Sequence, residues 1–189
     1  MKKLGVVVGF IPWIIFSTLY SSNSTAIIEA CLSAIIISVI ISHRELRKGF
    51  IFPWGSLICF MAIAINGYFH ISEWLINHPN IPLNCTIPLI IWVSLVIGKP
   101  FTLQYAKEQV PPEKWNSPLF IKINNILTLM WGVCLSIAAV PSLFMDYNTY
   151  HHSIWWNTIF YYLCLAVAIW LNRKLPSLIK KSNQEAQSA

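Results

Sequence analysis

The chain has 189 residues, 56% hydrophobic and only 11% charged, with nine Trp, five Cys, a mean hydropathy of +0.60 and a formal charge of +6. This is far from the composition of a soluble domain and points to an integral membrane protein. A hydrocarbon core about 30 Å thick needs about 20 apolar residues of helix, so about six crossings would use most of the chain and leave no room for a second folded domain. The expectation is an all-α polytopic bundle of about six transmembrane helices: one domain over residues 1–181, then a disordered polar tail over 182–189.

Met1-Lys2-Lys3 precedes an apolar run from Leu4 to Tyr20. A secretory signal peptide opens the same way, and Ser24-Thr25-Ala26 would serve as its cleavage site. The run is long for a signal and carries Pro12 and Trp13 at its middle, which favours a first transmembrane helix.

The second segment, Thr25 to Ser42, repeats small residues every fourth position at Ala26, Ala30, Ala34, Ser38 and Ser42. On a helix these form one stripe that lets a neighbour approach closely. Glu29 lies near the start of this segment, and Ser33 follows one turn later, placed to bond its carboxyl group. An ionisable group at membrane depth marks a proton or cation site, whereas a carboxylate at a helix N-terminus near the interface is held by the macrodipole alone.

A basic turn, His43 to Gly49, leads into the third segment, Phe50 to Phe69, with Pro53 in its first turn and Asn66 near its far end. His70 to Cys85 reads as a loop without Lys or Arg. The fourth segment, Ile87 to Gly98, is short, so it is expected to kink at Pro100 and use Phe101 to Ala106 to finish its crossing. The connector that follows, containing Lys99, Pro100, Gln104, Tyr105 and Trp115, has nearly balanced charge and no clean amphipathic stripe. It is expected to be a structured loop packed on the helix ends.

Leu119 to Val140 is the fifth segment, with Lys122, Asn124 and Asn125 in its first turns and a packing face of Gly132, Ser136 and Ala139. Pro141 to Ser153 reads as a loop and Ile154 to Leu171, containing Asn157, as the sixth segment. Counted loop by loop, all 13 Lys and Arg fall on one side of these crossings, while the opposite loops carry Glu73 and Asp146. The positive-inside rule therefore puts both termini and the connector in the cytoplasm, and makes the net charge a matter of topology, with no nucleic acid as partner.

The five Cys show no C-x-x-C spacing, and His70, His78, His151 and His152 match no recognised ligand pattern, so no metal or cofactor is expected. No Gly-rich phosphate loop or nucleophile elbow is present, and no catalytic residue is assigned.

Gly98-Lys99-Pro100-Phe101 closing the fourth segment, Trp115, then Lys122-Ile123-Asn124 ahead of Trp131-Gly132, together with the order of the apolar segments and the basic turn, resemble the intracellular septation protein A family of bacterial inner-membrane proteins. That family's pattern has Leu-Asn and Trp-Ala where this chain has Ile123-Asn124 and Trp131-Gly132. The resemblance implies a multi-pass protein of the bacterial inner membrane with a role in cell division or envelope synthesis, and it supplies no established catalytic chemistry to carry over residue by residue. Its partners would be the lipid bilayer and other division or envelope proteins, or a second copy of itself.

Two functions follow. One is a non-enzymatic septation or envelope factor working through helix contacts. The other is a small proton- or ion-coupled transporter or channel whose polar path uses Glu29 and Ser33 with Asn66, Asn124, Asn125 or Asn157. Glu29 buried and facing those Asn groups favours the second; Glu29 facing outer water favours the first.

Overall fold

The computed structural model describes residues 5–20, 23–78, 80–144 and 150–188, with side chains described over 7–20, 23–76, 78, 81–143 and 159–179. Every regular element among the described residues is helical: α1 (Gly5–Val8), α2 (Ile11–Leu19), α3 (Ser24–Arg47), α4 (Ile51–Phe69), α5 (Glu73–Asn77), α6 (Asn80–Val96), α7 (Phe101–Lys107), a 3-10 turn (Pro112–Lys114), α8 (Pro118–Phe144) and α9 (Tyr150–Ser188). Among the described residues four helices are long and apolar enough to cross a membrane, α3, α4, α8 and α9, and a fifth crossing is reached if the bent pair α6–α7 is one span. These helices fit a multi-pass membrane protein.

The boundaries differ from the sequence expectation at several places, each for a local reason. The N-terminal run is two short helices and not one continuous helix, because Pro12 cannot donate to the Val8 carbonyl; the chain turns at Gly9-Phe10 and restarts, Trp13 and Ile14 bonding back to the Phe10 carbonyl. The stretch expected as a loop from His70 to Cys85 holds α5 and the first turns of α6. Helix α6 starts at Asn80, since Pro82 in its first turn gives up no needed bond, and the Thr86 hydroxyl donates to the Pro82 carbonyl at 2.6 Å. Pro141, expected to open a loop, is inside α8, which runs on to Phe144. The polar residues 182–188, expected as a disordered tail, continue α9 to Ser188.

The break after α6 is sharper than a kink. Gly98, at φ +70°, donates to the Leu95 carbonyl at 3.0 Å while Lys99 donates to the Ser94 carbonyl at 2.9 Å, the paired bonds that end a helix on a left-handed glycine. Pro100, two residues on, forbids continuation. Helix α7 leaves at 75° to α6. At about 1.5 Å per residue α7 is about 10 Å long, so at that angle it advances only about 3 Å along α6 and does not finish a crossing. Helix α6 alone is about 25 Å long, near the lower limit for a span. Gly49, at φ +73°, ends α3 by the same pair of bonds, from Gly49 to Leu46 and from Phe50 to Glu45, each at 3.0 Å.

The helices pack in the order α2, α3, α4, α6, α8, α9, with α7 lying on α8. On α3, Ala30, Ala34, Ser38 and Ser42 are buried and Ala26 half-buried, so the small residues face α2 and α4, the helices α3 packs on. Between α4 and α6 the contact closes at Gly55, where a Cβ would meet Ile90 Cγ1 at 2.8 Å. Between α6 and α8, Trp92 lies across Gly132, where a Cβ would come within 3.1 Å of the indole, and its Nε1 donates to Ser136 Oγ at 3.0 Å.

Candidate functional site

Trp131, 1% exposed, is where the elements converge. Its ring is stacked on Phe10 at 5.5 Å and meets Phe101 of α7 edge-on at 6.2 Å; Phe52 of α4 bridges Phe10 and Phe101 at 5.1 and 5.7 Å. Its Nε1 donates to Asn172 Oδ1 of α9 at 3.0 Å. One aromatic cluster thus ties the N-terminal turn, α4, α7, α8 and α9 together, each pair gaining about 0.5–1.5 kcal/mol beyond its buried area.

Around this cluster α7 is held on three sides. At its start, the Phe101 N–H donates to Ser94 Oγ at 3.2 Å, while that hydroxyl donates to the Ile91 carbonyl at 2.6 Å. On its α8 side, buried Thr102 Oγ1 pairs with Thr128 Oγ1 at 2.7 Å and donates to the Asn124 carbonyl at 2.8 Å. On its α4 side, Gln104 Oε1 accepts the Ile51 N–H at 3.0 Å, and Tyr105 meets Phe50 edge-on at 5.1 Å. Beyond α7, Glu108 pairs with Lys48 of the basic turn. Trp115 folds the connector back, its Nε1 donating to the Lys107 and Val110 carbonyls at 3.1 and 3.2 Å, with Lys107 Nζ 5.5 Å above its ring. Lys99 is exposed and Pro100 buried. The expected structured connector is therefore a strapped corner, and it sits at the same end of the bundle as the α3–α4 turn.

The residues nominated for a polar path do not come together. Glu29 is exposed on the face of α3 that also exposes Leu32, Ile36, Val39 and Ile40, and among the described residues nothing bonds its carboxylate. Ser33, half-buried, does not bond it either, contrary to expectation. Asn66 is spent on the junction after α4, accepting from Ser72 N at 2.8 Å and donating to Ser72 O at 3.3 Å. Asn124 is buried, its carboxamide donating to the Phe120 carbonyl at 2.8 Å, whereas Asn125 is exposed. The Asn157 side chain lies outside the described residues.

Among the described residues no group of His, Cys, Asp and Glu is arranged to hold a metal ion. His70 is taken by Glu73, Nδ1 to Oε1 at 2.8 Å, and His78 by the Trp74 carbonyl at 2.8 Å. The Cys59 thiol donates to Thr86 Oγ1 at 3.1 Å, an α4–α6 contact.

Ser94, Thr102, Thr128 and Asn172 were not nominated from the sequence. A hydroxyl in an apolar run bonds its own helix as readily as a neighbour, and only the 75° corner shows that Ser94 reaches the start of α7 and Thr102 reaches α8. Comparison of the chain with known protein families, with curated proteins and with solved structures finds no match.

Proposed function

We propose that the chain is a non-enzymatic, multi-pass protein of a bacterial inner membrane that supports septum or envelope assembly through contacts with other membrane proteins. In this reading it crosses six times: α1–α2 together make the first crossing, α6 makes the fourth, and both termini and the connector are cytoplasmic. The distribution of charge supports that orientation. Arg44, Arg47, Lys48, Lys99, Lys107 and Lys114 belong to the end tied by the Lys48–Glu108 pair, and no Lys or Arg occurs between Lys48 and Lys99.

The observation that carries the functional reading is the gathering of the septation-like residues. Gly98, Pro100, Phe101, Trp115, Asn124, Trp131 and Gly132 are spread over 35 positions in the sequence, yet they all belong to the corner around α7 or to the helix it rests on. A strapped cytoplasmic corner with exposed Lys99, Glu113 and Lys114 is a surface for a partner. The outward placement of Glu29 favours this reading over the transporter. Depletion in the native host, with septa imaged and wall synthesis followed, tests it: elongated cells or misplaced septa are expected. Normal division with unchanged wall synthesis would remove it.

A further inference from the structure

We propose that the end of the bundle remote from the basic turns encloses a water-binding site between α6, α8 and α9, built by Asn84, Ser142 and Tyr161. Asn84 is 8% exposed and lies on the buried stripe of α6 with Ile87 and Ile91. Among the described residues no group bonds its carboxamide. Its own carbonyl lacks the usual helical donor as well, because the residue four positions on is Pro88, inside the helix and without an N–H. Donors and acceptors buried at membrane depth need partners, and two from one residue are concentrated here.

Two hydrogen bonds set the level of this residue. Trp92 to Ser136 registers α6 against α8, and Trp131 to Asn172 registers α8 against α9. The three helices alternate in direction, so counting eight residues back from Trp92 and the same number on from Ser136 sets Asn84 level with the last turn of α8, where Ser142 is buried. Eleven residues back from Asn172 is Tyr161, and eleven on from Trp131 is Ser142 itself. Tyr161 packs against the core within electrostatic reach of Cys85, the neighbour of Asn84, and among the described residues its hydroxyl has no hydrogen-bond partner.

Ser142 donates to the Ala139 carbonyl at 2.6 Å, which leaves its oxygen free to accept. The set thus offers a carboxamide, a backbone carbonyl, a hydroxyl acceptor and a phenolic O–H, none of them charged. An uncharged guest that both donates and accepts suits it, and water, which makes about three hydrogen bonds in such sites, is the smallest. A cation is disfavoured, since the set has no carboxylate to balance it.

The test is hydroxyl-radical footprinting of the full-length protein in lipid nanodiscs, where radicals formed from bound water label the side chains beside it. Tyr161 is expected to be modified on the order of ten-fold faster than buried Tyr105, and Asn84→Leu to remove most of that difference while exposed Tyr68 is unchanged. Should Asn84→Leu not fold, Ser142→Ala takes its place with the same expectation. Tyr161 as protected as Tyr105 in the unaltered protein, or equally modified in the variant, would overturn the proposal.

Discussion

Gln104 caps Ile51 across 53 positions of sequence: its Oε1 accepts the first N–H of α4 at 3.0 Å, where Phe50, the residue at the cap position, has no side chain able to do so. A helix start leaves N–H groups without intrahelical partners, and here the connector supplies one. Gln104→Ala should therefore destabilise the protein by about 0.5–2 kcal/mol, the usual loss for a removed cap. Lys48→Ala, which removes only the exposed pair with Glu108, should cost about 0–1 kcal/mol. Thermal unfolding of both variants in the same detergent checks the order; a larger effect for Lys48→Ala would show that the ion pair and not the cap holds the corner.

Trp131 provides the second expectation. Trp131→Phe keeps an aromatic ring against Phe10 and Phe101 but leaves the Asn172 carbonyl oxygen without its donor. The expected loss is about 0.5–1.5 kcal/mol, the net contribution of one hydrogen bond to the half-buried Asn172. Trp131→Phe combined with Asn172→Leu should recover part of it, since an apolar pair strands nothing. A double variant no better than the sum of its parts would place the cost in ring packing.

Two glycines separate close approach from backbone conformation. Gly132→Ala drives a Cβ to 3.1 Å from the Trp92 ring, which is rigid and fixed by Ser136, so α6 and α8 must part and about 1–3 kcal/mol is lost. Gly98→Ala meets no atom within 4 Å, and its cost of about 1–2 kcal/mol comes from φ +70° alone. Gly98→Asn should thus be tolerated better than Gly98→Ala, because Asn adopts this conformation more readily, while Gly132→Asn should be worse than Gly132→Ala. Melting temperatures in the reverse order would refute both assignments.

Helical class and apolar segments were legible in the sequence because membrane spans announce themselves by length and hydropathy. Element ends were less so. Pro82 falls in one stretch that reads as a loop and Pro141 opens another, yet each lies within a helix, Pro82 in a first turn whose N–H is not needed and Pro141 in a last turn. The Gly98-Lys99-Pro100 signal was visible, but its consequence, a 75° corner and not a continuing span, depends on the Schellman bonds to Ser94 and Leu95. The small stripe of α3 was readable by spacing, whereas the direction Glu29 faces required knowing which flank α2 and α4 occupy.

The proposed topology makes a separate prediction. A reporter fused after Lys181 should be active only in the cytoplasm, and one inserted at Asn148 only outside it, because every Lys and Arg belongs to the other set of connections. A reporter at Lys181 on the outer side would mean an odd number of crossings. That result would remove one of the two crossings that no single long helix makes, α1–α2 or α6.

Glu29 decides between the two functional readings. It lies about 8 Å along the axis from the start of α3, and side chains on a helix tilt toward its N-terminus, so the carboxylate reaches back toward the interface where water and the helix dipole both favour its charge. No Asn of the nominated set whose side chain is described reaches it, and its neighbours on the same face are Leu32 and Ile36, exposed like itself. Glu29→Gln should accordingly leave insertion unchanged, shift stability by no more than about 0.5 kcal/mol as at an ordinary surface position, and restore a deletion strain fully. Gln keeps the shape and hydrogen-bonding reach of Glu and removes only the titratable charge, so lost complementation at unchanged protein level could come only from that charge. Such a loss would restore the transporter as the leading function, with Glu29 carrying the proton from the bundle's outer surface and not from its core.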